Sequence, residues 1–154
     1  QRCRQTAALF QDVLRPKSET MHGALKEQDF GQWHGQKIEH VWEQIKQEPR
    51  HNWGFIMPDM VPPQGESFDA QISRVAKWCK AIEAGNYTNP QIVFTHAGTM
   101  RAVMAHILGL SSARAQCLAI PYFGCLHAHL MDAVQAGQHH GGAWQLQSLR
   151  PLLM

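Results

Sequence analysis

A histidine followed by small residues stands where a predicted strand gives way to a predicted helix. The segment reads Ile92-Val93-Phe94-Thr95-His96-Ala97-Gly98-Thr99-Met100-Arg101. Ligands of open α/β sheets bind beyond the carboxyl ends of strands, and free N–H groups at a helix start favour an anion such as phosphate. Ala97 and Gly98 would let that anion approach the backbone, and His96 would add a donor whose charge depends on pH. The alternative is an ordinary polar residue at a strand end, hydrogen-bonded to a nearby carbonyl.

Two other segments carry groups that could act on a phosphate ester. Arg2 precedes Cys3-Arg4-Gln5-Thr6-Ala7, and a guanidinium can bind two phosphate oxygens at once, although many arginines near a terminus are simply solvated. Residues 25–35 mix acids, aromatic residues and glycines without a clean period, which predicts a structured loop. Glu27 in that loop could act as a general acid; the alternative is an exposed loop carboxylate. Phe30 and Trp33 are expected to pack against the protein.

The elements that must position these groups follow from hydrophobic periodicity, which predicts three helices. Their apolar residues are Ile38, Val41, Trp42 and Ile45, then Phe68, Ile72, Val75, Cys79 and Ile82, then Met100, Val103, Met104, Ile107 and Leu108. Pro49 closes the first helix, Ser67 is the expected N-cap of the second, and Gly109 ends the third. Residues 6–10 also have helical character, so we expect the chain to begin inside a structural element.

Strands are predicted at three places. Residues 91–95 form a short apolar, β-branched run after Asn89-Pro90, which is typical of a buried strand. Polar and apolar residues alternate over residues 125–131 and again over 144–147, and a loop is expected between them at 136–142. Because helices alternate with strands and no linker divides them, residues 1–154 are expected to form a single α/β domain.

Composition excludes several classes of protein. The chain has 154 residues, of which 44% are hydrophobic, so it can build a globular core and is not a disordered polymer. Its 14 basic and 12 acidic residues give a net charge of +2, which argues against nucleic acid or an anionic membrane as partner. Four cysteines without a secretory leader predict reduced thiols and a cytoplasmic protein. The ten histidines are an unusually high number.

Four segments of the chain, in order, resemble the histidine phosphatase superfamily, which has the phosphoglycerate-mutase-like fold. They are Arg2-Cys3-x-Gln5-Thr6-Ala7, Leu25-x-Glu27-x-x-Phe30-Gly31-x-Trp33-x-Gly35, Pro63-x-Gly65-Glu66-Ser67 and Thr95-His96-Ala97-Gly98-x-x-Arg101. The resemblance covers about residues 2–110, and the tight loop from Glu27 onward is most similar to the branch containing α-ribazole phosphatase of cobalamin synthesis. It implies a three-layer α/β/α fold with a mostly parallel sheet.

The resemblance also implies roles for individual residues. Glu27 matches the proton donor and acceptor of the family, and His96 matches the histidine that stabilises the transferring phosphoryl group. Arg2 matches a phosphate-binding arginine, and Ala97 and Gly98 lie where the backbone meets the phosphate. The implied substrate is a small-molecule phosphomonoester, with neither a metal nor another cofactor.

Two further segments of the resemblance bear on the pocket without being assigned to catalysis. Glu66 and Ser67 match a loop-to-helix junction at the edge of the pocket, where capping is the favoured role. His34 stands where an acid is usual in the family, which would alter either substrate preference or only the loop surface.

The nucleophile of the family, the histidine of an Arg-His-Gly motif, has no counterpart in residues 1–154. The only Arg-His pair is Arg50-His51, which follows Glu27 in the wrong order. We therefore expect an N-terminally truncated domain that lacks a central strand and its nucleophile, so that the chain alone turns over little substrate. The alternative is a non-catalytic module that binds a phosphorylated ligand or a partner protein.

A second alternative is a metal site in the histidine-rich C-terminal part. Its candidate ligands are Cys117, Cys125, His127, His129, His139 and His140. The two cysteines are too far apart for a Cys-x-x-Cys knuckle, and the last two histidines lie in a glycine-rich loop. The spacing therefore favours ordinary polar roles for these residues over structural zinc.

Overall fold

The computed structural model describes residues 1–45, 58, 60–85, 90–132 and 142–151. The helices of this part are α1 (Arg2–Leu9), α2 (Gln11–Leu14), α3 (Ile38–Ile45), α4 (Phe68–Glu83), α5 (Ala97–Ile107) and α6 (Ser112–Gln116). Short 3-10 turns occupy Gly23–Leu25 and Gly31–Trp33, and the strands are β1 (Gly124–Leu130) and β2 (Trp144–Pro151). No helix among these residues is long and apolar enough to cross a bilayer.

Helix α4 is the centre of the core and confirms the second predicted helix. Its N-cap is Ser67, whose side chain accepts a hydrogen bond from the N–H of Ala70 at 3.1 Å, as the sequence predicted. The buried residues of this helix recur at helical spacing: Phe68, Gln71, Val75, Cys79 and Ile82. This face packs on α5 and on Ala115 of α6. The polar residue Gln71 is therefore one of the five buried residues, although the predicted apolar stripe did not include it.

Helix α5 begins just after His96, as the sequence predicted, and its buried face combines the predicted Met104 and Ile107 with smaller residues. It starts directly at Ala97, and its buried residues are Thr99, Ala102, Met104, Ala105 and Ile107. Small alanine side chains let α5 approach α4 closely, while Leu108, a predicted core residue, is 41% exposed. The contact between α4 and α5 therefore depends in part on alanine side chains, which a search for large apolar residues in the sequence does not find.

The two C-terminal strands were predicted correctly and form an antiparallel pair. His127 pairs with Ser148 and Ala128 pairs with Leu146, so an irregularity in register lies between these two steps. The predicted loop between the strands lies outside the described residues except for Gly142. Arg50-His51 and Pro49, which was expected to end α3, also lie outside them.

The predicted strand at residues 91–95 is wrong for this structure. These residues join neither strand of the sheet, and within the described ranges the only sheet is the antiparallel β1–β2 pair. Ile92 is 62% exposed and Val93 is 40% exposed, so the run is not buried either. A strand requires a neighbouring strand to satisfy its backbone groups, and no described strand pairs with this segment. The expected mostly parallel sheet is accordingly not formed by the described residues.

The loop that carries Glu27 is docked on the segment that leads into α4. The N–H of Gln32 donates to the carbonyl of Pro63 at 2.9 Å, and the N–H of Glu66 donates to the carbonyl of Asp29 at 2.9 Å. Gly31 has a φ of +48°, and a Cβ there would overlap the carbonyl of Pro63. Only glycine satisfies both conditions, so the Phe30-Gly31 step fixes how the loop approaches α4.

Candidate active site

Glu27 and His96 face each other although 69 positions separate them in the sequence. The Oε2 oxygen of Glu27 lies 3.8 Å from Nδ1 of His96. The side chain of His96 is 21% exposed and that of Glu27 is 33% exposed, so both are partly shielded but can reach a ligand. The structure thus brings together the two residues that the sequence analysis nominated for catalysis.

The other ring nitrogen of His96 contacts helix α1. Cys3 Sγ lies 3.2 Å from His96 Nε2, and burial raises the pKa of the Cys3 thiol above its ordinary value, against the opposing effect of the N-terminal amine and Arg2. The two ring nitrogens of His96 thus face different groups, because Nε2 faces the Cys3 thiol and Nδ1 faces the Glu27 carboxylate.

A cavity of about 200 Å³ opens beside Cys3 and His96. Its lining residues are Arg2, Cys3, Thr6, Phe94, Thr95 and His96. Arg2 is exposed and His96 is half-buried, so the cavity has a guanidinium at its rim and an imidazole at its wall. Both groups can donate hydrogen bonds to an anion.

Helix α5 begins at the same place. His96 caps it in an extended conformation, and the first intrahelical bond runs from Met100 N–H to the His96 carbonyl at 2.9 Å. The N–H groups of Ala97, Gly98 and Thr99 therefore have no partner further back in the helix. Ala97 is exposed, whereas Gly98 lies against Glu27: a Cβ at position 98 would overlap Glu27 Oε1.

The backbone that carries Glu27 is held by side chains from two directions. Arg74 on α4 donates to the carbonyls of Ala24, Lys26 and Glu27 at 2.6, 2.9 and 3.0 Å. Thr95 donates to the carbonyl of Leu25 at 2.7 Å, and Thr99 donates to that of Lys26 at 2.9 Å. All four consecutive carbonyls of residues 24–27 are therefore engaged. Glu27 is placed by this carbonyl clamp, since its own segment is neither helix nor strand at that point.

Glu66 has a structural role, although the capping role favoured from the sequence belongs to Ser67 alone. Its carboxylate accepts from Arg74 Nε at 2.9 Å and from Arg74 Nη2 at 2.6 Å. The same carboxylate accepts from the N–H of Asp29 at 3.0 Å. Glu66 thus orients the guanidinium that holds residues 24–27 and does not itself face the cavity lining.

Comparison with known families decides the affiliation of the chain. A sequence model of the histidine phosphatase superfamily (branch 1) matches residues 1–136. The chain belongs to this superfamily. No curated protein matches the chain.

Membership in the histidine phosphatase superfamily gives the expected α/β fold class, and members of the superfamily are generally phosphatases or mutases. The matched range extends beyond the resemblance noted from the motifs, which ended near residue 110. The narrower similarity to the α-ribazole phosphatase branch stays a prediction.

Sequence reasoning missed three residues of this candidate site. Cys3 reaches His96, Arg74 holds the backbone of Glu27, and Gln71 lies 3.5 Å from the Glu27 carboxylate. A signal existed for Gln71, because a glutamine at position 71 falls on the same helical face as Phe68 and Val75. No local pattern marks Cys3 or Arg74, whose partners are far away in the sequence.

The histidine-rich strand does not form a metal centre with other described residues. His127 and His129 are exposed on β1, and Cys117 Sγ contacts the carbonyl of Ala113 at 3.6 Å. Within the ranges that the structure describes, no three His, Cys, Asp or Glu side chains are grouped around a possible ion. His139 and His140 lie outside the described residues.

Proposed function

We propose that this protein is a phosphomonoester hydrolase that acts through a phosphohistidine intermediate, and that residues 1–154 supply its proton donor and most of its phosphate site. The observation that carries the proposal is the 3.8 Å approach of Glu27 Oε2 to His96 Nδ1 beside a cavity bordered by Arg2. Arg2 and His96 line this cavity and Glu27 contacts His96, and such a set of groups suits a substrate that bears a dianion and must lose an alkoxide.

In the first step a neutral histidine nitrogen forms a bond to phosphorus while the bond from phosphorus to the ester oxygen breaks. Glu27 gives its proton to that leaving oxygen, so that the alcohol departs neutral. Glu27 ends this step as a carboxylate, and the phosphoryl group is attached to the nucleophilic histidine.

In the second step water attacks the phosphohistidine. The carboxylate of Glu27 takes a proton from that water as the new oxygen–phosphorus bond forms and the nitrogen–phosphorus bond breaks. Inorganic phosphate is released, and both the histidine and the protonated Glu27 are regenerated. One carboxyl group therefore acts as acid and then as base.

The charge on the phosphoryl oxygens is met by donors around the cavity. Arg2 offers two parallel N–H groups, His96 offers a ring N–H, and the N–H groups of Ala97 and Gly98 point from the start of α5. Donors already fixed by the fold stabilise developing charge without reorganising, and such stabilisation supplies much of the rate enhancement of many enzymes.

The nucleophilic histidine belongs to sequence outside residues 1–154, in our proposal. No Arg-His-Gly occurs within these residues, and the family uses the histidine of that motif at the end of its first strand. A strand beside residues 91–95 would satisfy their backbone groups and cover Ile92 and Val93. Such a pair would be the start of the mostly parallel sheet that we propose for a three-layer α/β/α domain.

The first substrate to test is α-ribazole phosphate. What supports it is the similarity of residues 25–35 to the α-ribazole phosphatase branch. Sugar phosphates, phosphoglycerates and nucleotide-derived monoesters present the same phosphoryl group and are the comparison set.

The decisive experiment compares the chain 1–154 with the same protein expressed together with its upstream coding sequence. We expect the longer protein to hydrolyse phosphomonoesters and to form an acid-labile phosphohistidine, and the chain alone to bind inorganic phosphate without turnover. In the longer protein, Glu27→Gln is expected to lower turnover by about 10² to 10⁴, and His96→Ala by about 10² to 10³. His127→Ala, on the exposed strand face, is the matched control and should leave turnover unchanged.

Two outcomes would contradict this proposal. A stop codon directly upstream of an alternative start would favour the non-catalytic module that binds a phosphorylated ligand. Near-normal turnover in His96→Ala would remove that residue from the mechanism, and a stable phosphohistidine on residues 1–154 would remove the need for an outside nucleophile.

A further inference from the structure

Gln71 is a fully buried polar residue on the core face of α4, and it contacts the proposed proton donor. Its side chain is 0% exposed. The amide nitrogen Nε2 lies 3.2 Å from Thr99 Oγ1 and 3.5 Å from Glu27 Oε1. A glutamine therefore connects the core helix α4 with both the start of α5 and the carboxylate of Glu27.

The partners of Thr99 determine which way the Gln71 amide points. The single hydroxyl proton of Thr99 goes to the carbonyl of Lys26 at 2.9 Å, so toward Gln71 the hydroxyl can only accept. The amide must present its nitrogen to Thr99. The second N–H of the Gln71 amide then points toward Glu27. The opposite orientation would place Gln71 Oε1 against Thr99 Oγ1.

The oxygen of the same amide has no hydrogen-bond partner among the described residues. A buried acceptor without a donor costs free energy, and such atoms are rare in folded proteins. An apolar side chain of the same size would avoid this cost in the core. The unsatisfied oxygen therefore indicates that the amide nitrogen, directed at Glu27 and Thr99, is what the site requires.

The two oxygens of Glu27 have different surroundings as a result. Oε1 accepts from the backbone N–H of Gln28 at 3.1 Å and from Gln71, and it fills the space beside Gly98. Oε2 faces His96 Nδ1 at 3.8 Å. A proton on Oε1 would collide with the two N–H groups that point at it, so the proton of the neutral acid belongs on Oε2.

We propose that Gln71 is a positioning residue that keeps Oε1 of Glu27 as a permanent acceptor and so makes Oε2 the oxygen that gives and takes the proton. The inference rests on the proposed function, because it concerns the acid of that reaction. Gln71 acts through Glu27 and does not touch the substrate.

The test measures how the reaction depends on the leaving group. In the full protein, with its upstream sequence, kcat/KM is determined for an alkyl phosphate and for p-nitrophenyl phosphate in wild type and in Gln71→Met. The alkoxide must be protonated as it leaves, whereas p-nitrophenolate is stable without a proton. We expect kcat/KM for the alkyl phosphate to fall by about tenfold or more, and that for p-nitrophenyl phosphate to change by less than about threefold. The ratio kcat/KM covers only the steps through phosphoryl transfer to the enzyme, so the later attack of water does not enter.

A matched control separates positioning from stability. Val75→Ala lies one turn further along the buried face of α4 and removes core packing without contacting Glu27. We expect it to lower the melting temperature and to leave the alkyl-to-aryl ratio at its wild-type value. If Gln71→Met does not fold, Gln71→Asn is measured instead: it keeps the amide, withdraws it from Glu27 by one methylene, and should give the same change in ratio.

The outcomes distinguish this inference from the function on which it rests. Equal loss for both substrates, or no loss for either, in an active protein would overturn the role of Gln71 alone. A wild-type protein that hydrolyses neither substrate would overturn the proposed function itself.

Discussion

The Oε1 oxygen of Glu27 occupies the space that a side chain at position 98 would need. A Cβ built on Gly98 overlaps this oxygen and comes within 3.5 Å of Gln71 Oε1. The glycine at the start of α5 is therefore required by the position of Glu27 as well as by the approach of a ligand to the backbone.

Gly98→Ala is expected to displace the Glu27 carboxylate. The added methyl group costs about 1 to 3 kcal/mol of unfolding free energy, as overpacking does elsewhere, and should lower turnover of the full protein by at least about tenfold because the acid is moved. Denaturant unfolding and steady-state kinetics check the two effects. Gly23→Ala is the control, since a Cβ there meets no atom within 4 Å; an equal response of both variants would contradict the account.

Arg74→Leu is expected to release the carbonyl clamp of residues 24–27. The change leaves the carbonyls of Ala24 and Glu27 without their donor and removes the guanidinium that pairs with the Glu66 carboxylate. Unfolding free energy should fall by about 3 kcal/mol, the usual cost of removing one partner of a shielded ion pair. Lys77→Leu, at an exposed position of the same helix, should change it by no more than about 0.5 kcal/mol. Equal unfolding midpoints for the two variants in urea would show that the clamp contributes nothing.

The free energy of unfolding should depend on pH because of the carboxyl group of Glu83, the last residue of α4. Burial alone would raise the pKa of this carboxyl, but hydrogen bonds from Trp144 and His106, with the charges of His106 and Lys80, outweigh burial and lower it below its ordinary value of 4.5. A lowered pKa in the folded state means that the stabilisation is present above pH 4.5 and is lost as the pH falls through the folded-state value.

Trp144→Phe tests this directly, because the indole N–H donates to Glu83 Oε1 at 2.6 Å. The melting temperature of the variant should lie below that of wild type at pH 7, and the difference should shrink as the pH is lowered from 5 toward 3. A difference that stays constant over this range would show that the hydrogen bond does not favour the ionised carboxylate.

The cysteines should differ in their reaction with iodoacetamide at pH 8. Burial raises the pKa of Cys79 to about 12, so this thiol should stay unlabelled until the protein unfolds. Cys117 is exposed and should react first. Cys3, with a raised pKa and a place in the cavity lining, should react more slowly than Cys117.

Inorganic phosphate should slow the labelling of Cys3 and leave that of Cys117 unchanged, as followed by peptide mass spectrometry. Phosphate that protects neither thiol would argue against phosphate binding in this cavity.

Local sequence patterns identified several elements correctly because their causes are local. Helices α3 and α4 follow from apolar residues at helical spacing, and the Ser67 cap follows from its place before the first turn. Strands β1 and β2 follow from alternation. The same reasoning failed at residues 91–95, because an apolar, β-branched run becomes a strand only when another segment pairs with it, and pairing is not a property of the run.

The candidate site likewise has features that the sequence predicts and features that only tertiary contacts determine. Residue types and motif order alone nominated Glu27, His96, Arg2 and Gly98, since an acid, a histidine, an arginine and a glycine are what phosphoryl chemistry uses. The tertiary structure alone decided that Glu27 and His96 meet, that Gly98 leaves room for one oxygen of Glu27, and that Gln71 and Arg74 hold this acid in place. The reason is physical: these contacts join residues that are 44 to 71 positions apart in the sequence, and they form only because α4, α5 and the loop of Glu27 pack together.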